Sequence, residues 1–184
     1  MRIIGGEFKG RRFSPPSGLK ARPTTDYAKE SLFNILNNRL DFGQTKVLDL
    51  FAGTGSISLE FVSRGCNQVT CVEMLGLHYT FINKCIGELG LKSYITPIKG
   101  DVFRFISKCT DSFDLIFSDA PYDLKNGDTL PDLIFTTSVL KSDGIYIMEH
   151  SDKKDFSRHP NFREVRKYGK VNFSFFGHQI NEAD

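Results

Sequence analysis

Apolar positions in this chain recur in two rhythms, one helical and one alternating, and the order of those rhythms defines the elements. From Thr25 the spacing is helical, with Ala28, Leu32, Phe33, Ile35, Leu36 and Leu40 three and four residues apart and Thr25 or Asp26 as the N-cap. Short apolar runs then predict strands at 46–50, 68–73, 94–99, 113–119 and 144–150, separated by helical stretches at 56–64, 75–89, 102–108 and 130–140. Runs such as Val47-Leu48, Val69-Thr70-Cys71-Val72 and Leu115-Ile116-Phe117 suit parallel strands covered on both faces. Two alternating runs, 162–168 and 171–177, meet at Gly169-Lys170 and predict an antiparallel hairpin at the carboxyl end. Residues 1–13 predict a second hairpin with Gly5-Gly6 as turn glycines, and 14–23 a Pro/Gly-rich connector. The expected fold is α/β, a Rossmann-like doubly wound, mostly parallel sheet with an N-terminal β-hairpin extension and a C-terminal antiparallel hairpin. Residues 1–24 are expected to form the basic hairpin and connector, and 25–184 the main domain.

Composition narrows the class. With 184 residues, 40% hydrophobic and 25% charged, the chain can bury a core without a disulfide or metal staple. Cys66, Cys71, Cys85 and Cys109 form no C-x-x-C pair and have no histidine at ligand spacing, so free thiols are expected and structural zinc is not. No apolar run approaches the roughly 18 residues of a membrane helix, and the amino end builds no apolar signal core. A cytoplasmic protein without membrane or metal partners is expected.

The net charge of +2 conceals a segregation. Residues 1–29 hold seven basic and two acidic side chains, and residues 153–170 repeat that balance, so the remainder carries −8. Two basic surfaces result; they are either ordinary solvated exterior or, if the fold brings them to one side, a seat for a polyanion.

Candidate chemistry lies in two places. Asp49-Leu50-Phe51-Ala52-Gly53-Thr54-Gly55-Ser56 follows an apolar strand and opens a helix, where Gly53 and Gly55 let the backbone turn tightly against a ligand. Position 58 is Ser58 rather than a third glycine, and the P-loop lysine is missing, so an adenosine-type ligand fits better than a pyrophosphate. Glu73 ends the second strand, where its carboxylate can accept from both ribose hydroxyls. Asp101 follows the third strand and could accept an adenine amino group while Val102 packs on the ring, or could serve only as a helix N-cap. The fourth strand ends in Ser118-Asp119-Ala120-Pro121-Tyr122. There the Asp119 carboxylate and the Ala120 carbonyl can each accept an N–H of an exocyclic amine while Tyr122 stacks on the base.

Together, Asp49 to Gly55, Glu73, Asp101 and Asp119-Ala120-Pro121-Tyr122 resemble the S-adenosylmethionine and D/N-P-P-Y/F motifs of class I amino-methyltransferases. Arg2-Ile3-Ile4-Gly5-Gly6-Glu7-Phe8-Lys9-Gly10-Arg11, Arg22-Pro23-Thr24-Thr25-Asp26 and Glu30-Ser31-Leu32-Phe33-Asn34 are similar to the RsmD family of 16S rRNA guanine-N2 methyltransferases, and the similarity runs from Met1 to about His150. The resemblance implies that Asp49, Phe51, Ala52, Gly53 and Gly55 hold the methionine side of S-adenosylmethionine, Glu73 and Met74 the ribose side, and Asp101 and Val102 the adenine. It also implies that Arg22, Thr24 and Thr25 close over the cofactor, and that Lys9, Arg11 and Arg12 meet RNA phosphates. Asp119, Ala120, Pro121 and Tyr122 become the catalytic set, with Asp119 also bordering the cofactor. The family has proline where this chain has Ala120, so the carbonyl is kept and some rigidity is lost.

The implied activity is methyl transfer to guanine N2 of 16S ribosomal RNA, presented in a small-subunit particle to a monomeric enzyme. An adenine-N6 DNA methyltransferase poses the same chemical problem, but the chain has no room for a sequence-reading domain. A non-catalytic RNA-binding assembly factor is the other alternative, and a dehydrogenase is disfavoured by the missing third glycine. Among other residues, Glu149 is either a wall of the site or an ion-pair partner. The four histidines, and Phe173, Phe175 and Phe176, read as structural.

Overall fold

A computed structural model describes residues 1–16, 18 and 25–179. After helix α1 (Asp26–Asn37) come β1 (Lys46–Leu50), α2 (Ser56–Ser63), β2 (Gln68–Glu73), α3 (Gly76–Leu89), β3 (Ile95–Lys99), α4 (Val102–Lys108), β4 (Phe113–Asp119), α5 (Leu130–Phe135) and β5 (Leu140–Ser151), then β6 (Phe162–Tyr168) and β7 (Val171–Phe176). The seven strands form one sheet in the order β3-β2-β1-β4-β5-β7-β6. The first five pair in parallel. β7 inserts antiparallel between β5 and β6. This is the doubly wound sheet with a carboxyl-terminal hairpin that the hydrophobic rhythm predicts.

Alternation along the strands sorts the core into two layers. Val47, Val69, Cys71, Leu115, Phe117, Ile147 and Phe173 face α1, α2 and α3, while Leu48, Leu50, Val72, Ile116, Tyr146 and Met148 face α4 and α5. The chain leaves β1 toward β2 and β3, then returns to place β4 on the other side of β1. The crevice therefore opens at the carboxyl ends of β1 and β4.

Three expectations need correction in detail. The helix expected over 130–140 stops at Phe135, because the Thr136 and Thr137 hydroxyls donate back to carbonyls of the preceding turn and the chain then enters β5 at Leu140. β5 is correspondingly longer than the expected 144–150, with a register shift between its pairings to Phe113 and Leu115. A Cβ at Gly144 would lie 2.7 Å from Leu140 Cδ1 and 3.0 Å from the Lys141 carbonyl oxygen, so a side chain there would force its neighbours to shift. Finally, the amino-terminal hairpin has a single bridge, Arg2 to Arg12, with the Ile3 and Phe13 amides donating to the Arg11 and Met1 carbonyls.

That hairpin lies along α2. Ile3 and Phe13 are buried in the same core layer as α1 and α2. At Gly6, φ is +73° and a Cβ would come within 1.7 Å of the Ser63 carbonyl oxygen, so a side chain there would push the hairpin off the helix.

Candidate functional site

The turn between β1 and α2 is held by side chains from neighbouring elements. Phe51, Gly53 and Gly55 all have positive φ, at 59°, 55° and 73°. For Phe51 this is a costly conformation, of the kind that persists where surrounding contacts over-determine it. Glu73 supplies one such contact: its carboxylate accepts from the Gly53 amide at 2.8 Å and from the Leu75 amide at 2.7 Å. His78 stands behind it, with Nδ1 3.7 Å from Glu73 Oε1. Asp49, fully buried, accepts from both the amide (3.1 Å) and the hydroxyl of Ser58 (2.5 Å) in the first turn of α2. Burial pushes its carboxyl up to about 7, against the pull of the Ser58 hydrogen bonds and with a further push from Glu73. Asp49 thus shapes the turn from behind.

Beside Glu73 the surface becomes apolar and open. Met74 and Leu75 are exposed, and the Phe51 ring meets the Phe103 ring edge-on at 6.5 Å. Asp101 caps α4, accepting from the Arg104 amide at 2.9 Å, and Val102 is buried beneath it. The N-cap role is therefore observed for Asp101. A carboxylate at the end of β2, exposed apolar groups beside it and a glycine turn that brings backbone to the surface are the features an adenosine-bearing ligand requires, and the residues present fit one.

Across the switch point, β4 delivers the second group. Asp119 is its last residue, in register with Glu149 on β5. Ser118, one position earlier, points to the opposite layer and shares a hydrogen bond of 2.8 Å with the Tyr146 hydroxyl, tying the ends of β4 and β5 together. Ala120 is buried, whereas Pro121 is exposed and Tyr122 is 38% exposed. The Leu124 amide donates to the Pro121 carbonyl at 3.0 Å and the Gly127 amide to the Leu124 carbonyl at 3.0 Å, so successive tight turns follow the Pro-Tyr step. Glu149 is buried beside this edge.

Hairpin and turn are joined by a buried ion pair that the motif reading does not include. Lys29 Nζ donates to the Arg2 carbonyl (2.7 Å) and the Ser56 hydroxyl (2.9 Å), and lies 3.5 Å from Glu60 Oε2. Glu60 also accepts from the Ile4 and Gly5 amides, each at 2.8 Å, and from Arg64 Nε at 2.9 Å. Burial draws the Lys29 ammonium below its ordinary value, although Glu60 opposes this. The signal was present in the sequence: Lys29 sits in the apolar stripe of α1, and Glu60 lies between Leu59 and Phe61. A charge at such a position requires a buried partner.

The same contacts separate the predicted phosphate-binding residues. The hairpin follows α2 from Arg2, near Ser56, to Glu7 and Phe8, whose amides donate to Ser63. Lys9, Arg11 and Arg12 are all exposed, but Lys9 lies at the far turn, about 10 Å down the helix axis from Ser56 by helix rise. Arg12, bridged to Arg2, is at the Ser56 end of the helix. Thr25 is the N-cap of α1, accepting from the Ala28 amide at 3.2 Å. Arg22 and Thr24 lie outside the described residues.

Among the described residues no group of His, Cys, Asp and Glu is arranged to hold a metal, and no helix is long and apolar enough to cross a membrane. His150 is buried, with Nδ1 2.9 Å from the Ser151 carbonyl and Nε2 2.7 Å from the Ser174 hydroxyl, and burial lowers its pKa. The carbonyl can only accept, which places the proton on Nδ1.

Comparison with known proteins gives a consistent result. The ribosomal RNA small subunit methyltransferase D of Buchnera aphidicola is 27% identical over 180 residues, covering 96% of this chain and 91% of its own. The protein of the same name from Haemophilus influenzae is 30% identical over 157 residues, covering 83% and 80%. Among solved structures, the Escherichia coli protein yhhF superposes with a TM-score of 0.84 at 25% identity over 97% of this chain and 99% of its own. A precorrin-6Y C5,15-methyltransferase from Geobacter metallireducens, 15% identical, shares the fold with a TM-score of 0.69 over 91% and 94%. Residues 1–177 match the family described as Conserved hypothetical protein 95, and the chain belongs to that family, the RsmD-type methyltransferases of the class I fold.

Proposed function

We propose that this protein transfers a methyl group from S-adenosylmethionine to the exocyclic N2 amine of a guanine in 16S ribosomal RNA. One observation carries the reading: the Glu73-braced glycine turn and Asp119-Ala120-Pro121-Tyr122 stand side by side at the carboxyl ends of β1 and β4, which are adjacent strands. Names borne by relatives support the RNA substrate and the methyl donor. Residues 1–24 would serve the RNA and 25–184 the chemistry. A monomer acting in the cytoplasm on a small-subunit particle completes the reading.

In this assignment Asp49, Phe51, Ala52, Gly53 and Gly55 hold the methionine end of the cofactor, Glu73 and Met74 the ribose, and Asp101 and Val102 the adenine, with Asp119 bordering it. Arg22, Thr24 and Thr25 close over it. When bound, the cofactor supplies a sulfonium methyl, an electrophile that needs no metal. The protein's own work is to orient the amine. The Asp119 carboxylate and the Ala120 carbonyl would each accept one N–H, which favours a tetrahedral nitrogen whose lone pair is withdrawn from conjugation with the ring, and Tyr122 would stack on the flipped base. With the amine so held, the Asp119 carboxylate would take the surplus proton that the nitrogen sheds on accepting the methyl group. Guanine N2 is a weak nucleophile, so positioning supplies most of the effect.

The test is to incubate the protein with labelled cofactor and small ribosomal subunits lacking the modification, digest the RNA and identify the product. N2-methylguanosine at one site is the expected result. Label in DNA adenine, or cofactor binding without any RNA product, would overturn the assignment in favour of a DNA amine or an assembly role.

A further inference from the structure

We infer that the carboxyl-terminal hairpin supplies a second RNA-binding surface, in which Tyr27 is a stacking platform between the amino-terminal hairpin and Lys170. The inference rests on the rRNA reading above and names the face along which the strand runs. The sheet register carries it. Asp119, Glu149, Phe173 and Arg166 are successive partners across β4, β5, β7 and β6, so Tyr168, Gly169 and Lys170 rise beyond the row that contains the catalytic carboxylate. Alternation places Asp119, Phe173 and Tyr168 on the layer that carries α1. The first turn of α1 then spans the gap. The Tyr27 ring meets the Tyr168 ring edge-on at 6.1 Å, Arg2 pairs with Asp26 at 2.9 Å, and Lys29 reaches Ser56.

Arg2 and Arg12 of the amino-terminal hairpin and Lys170 of the carboxyl-terminal one, far apart in sequence, are thereby brought to the same side. Between them stands Tyr27, 68% exposed and the most exposed large apolar side chain among the described residues. Of the nearby acids, Asp26 is paired with Arg2 and Glu164 with Arg39 and Arg166, while Glu30 stands exposed one turn along α1. An exposed ring beside another aromatic, flanked by cations and continuous with a base-accepting site, fits an unpaired RNA strand whose bases stack while its phosphates follow the lysine and arginines.

The experiment measures affinity for a 16S rRNA fragment across a salt series, without methyl donor, so that binding is read apart from transfer. Tyr27→Ala is expected to weaken binding about tenfold, Tyr27→Phe to stay near the parent, and Lys170→Ala to reduce the salt slope by about 0.7 to 0.9. Cofactor affinity and melting temperature serve as controls for folding. In transfer assays the Tyr27→Ala loss is expected in KM for RNA, with kcat held. Affinity within twofold of the parent for Tyr27→Ala, together with an unchanged slope for Lys170→Ala, would overturn this surface while leaving the transfer reaction standing. Weakened binding by a protein that methylates no guanine would uphold the surface and overturn the assigned chemistry.

Discussion

The two halves of the catalytic edge are built differently. On the cofactor side, every turn of backbone is braced by a buried side chain from another element: Glu73 on Gly53, Asp49 on Ser58, Lys29 on Ser56. On the base side, Asp119 ends a strand and the chain then runs out through exposed Pro121 and Tyr122, stabilised by short-range turns. The difference matches the tasks. Under the proposed function, a small ligand of fixed shape would be met by a braced turn, whereas a flipped base would be admitted and released by an exposed loop.

This contrast can be broken from either side. The largest effect is expected from Asp119→Ala, which should lower the transfer rate by about 10²–10⁴-fold with cofactor affinity and melting temperature nearly unchanged; substantial residual turnover would remove Asp119 from the reaction. Lys29→Met should do the reverse. Glu60 keeps Arg64 and the Ile4 and Gly5 amides, but the lost Lys29 ammonium and its bonds to the Arg2 carbonyl and Ser56 cost about 1–3 kcal/mol of stability, seen as a lower urea midpoint, and a variant as stable as the parent would show that the hairpin and turn do not depend on Lys29. Glu73→Ala should combine both signatures, with cofactor affinity reduced by one to two decades, about 1–3 kcal/mol for lost charged hydrogen bonds, and a modest drop in melting temperature as Gly53 and Leu75 lose their acceptor.

A finer probe is pH. Asp49 titrates higher in the folded protein than in the unfolded chain, so the native state binds the extra proton. Its contribution therefore weakens stability as pH rises from about 4 to about 7 and is constant beyond. The buried His150, with its pKa lowered, acts in the opposite direction as pH falls through its range, so the comparison must be differential. Asp49→Asn should remove the falling component between those limits in urea titrations at pH 5 and pH 8; parallel curves for parent and variant would remove Asp49 as the source. The smallest change is expected on the base side, where Ala120→Pro should leave transfer equal or a few-fold faster through a stiffer loop, and a sharp loss would show that the loop differs from that of its family.

Most of the fold was legible because buried parallel strands read as apolar runs and the helices between them carry a clear stripe. Boundaries failed where side chains compete with the backbone, as Thr136 and Thr137 do at the end of α5, or where a bulge lengthens a strand, as at Gly144. In the site, the glycine turn and the ends of β2 and β4 could be located by order alone. What could not be read was which acids work inward. Asp49 faces Ser58 across the turn and Glu60 receives the amino-terminal hairpin, contacts made only by the folded chain, whereas the Asp101 cap on α4 is local and stood among the sequence alternatives. Lys9, Arg11 and Arg12 look equivalent in sequence and are graded only by the path of the hairpin along α2.

The position of β7 has a consequence for assembly of the molecule. It follows β6 in the chain yet lies between β6 and β5, and all six of its residues are buried. Until it is made, β6 has no neighbour in the sheet and the backbone edge of β5, from Tyr146 to Ser151, stands uncovered. An apolar strand edge in that state is a template for pairing with other chains. A nascent polypeptide stalled or cleaved before Val171 would carry an intact cofactor turn and an open, sticky sheet, and its fate would be set by chaperones and aggregation rather than by catalysis.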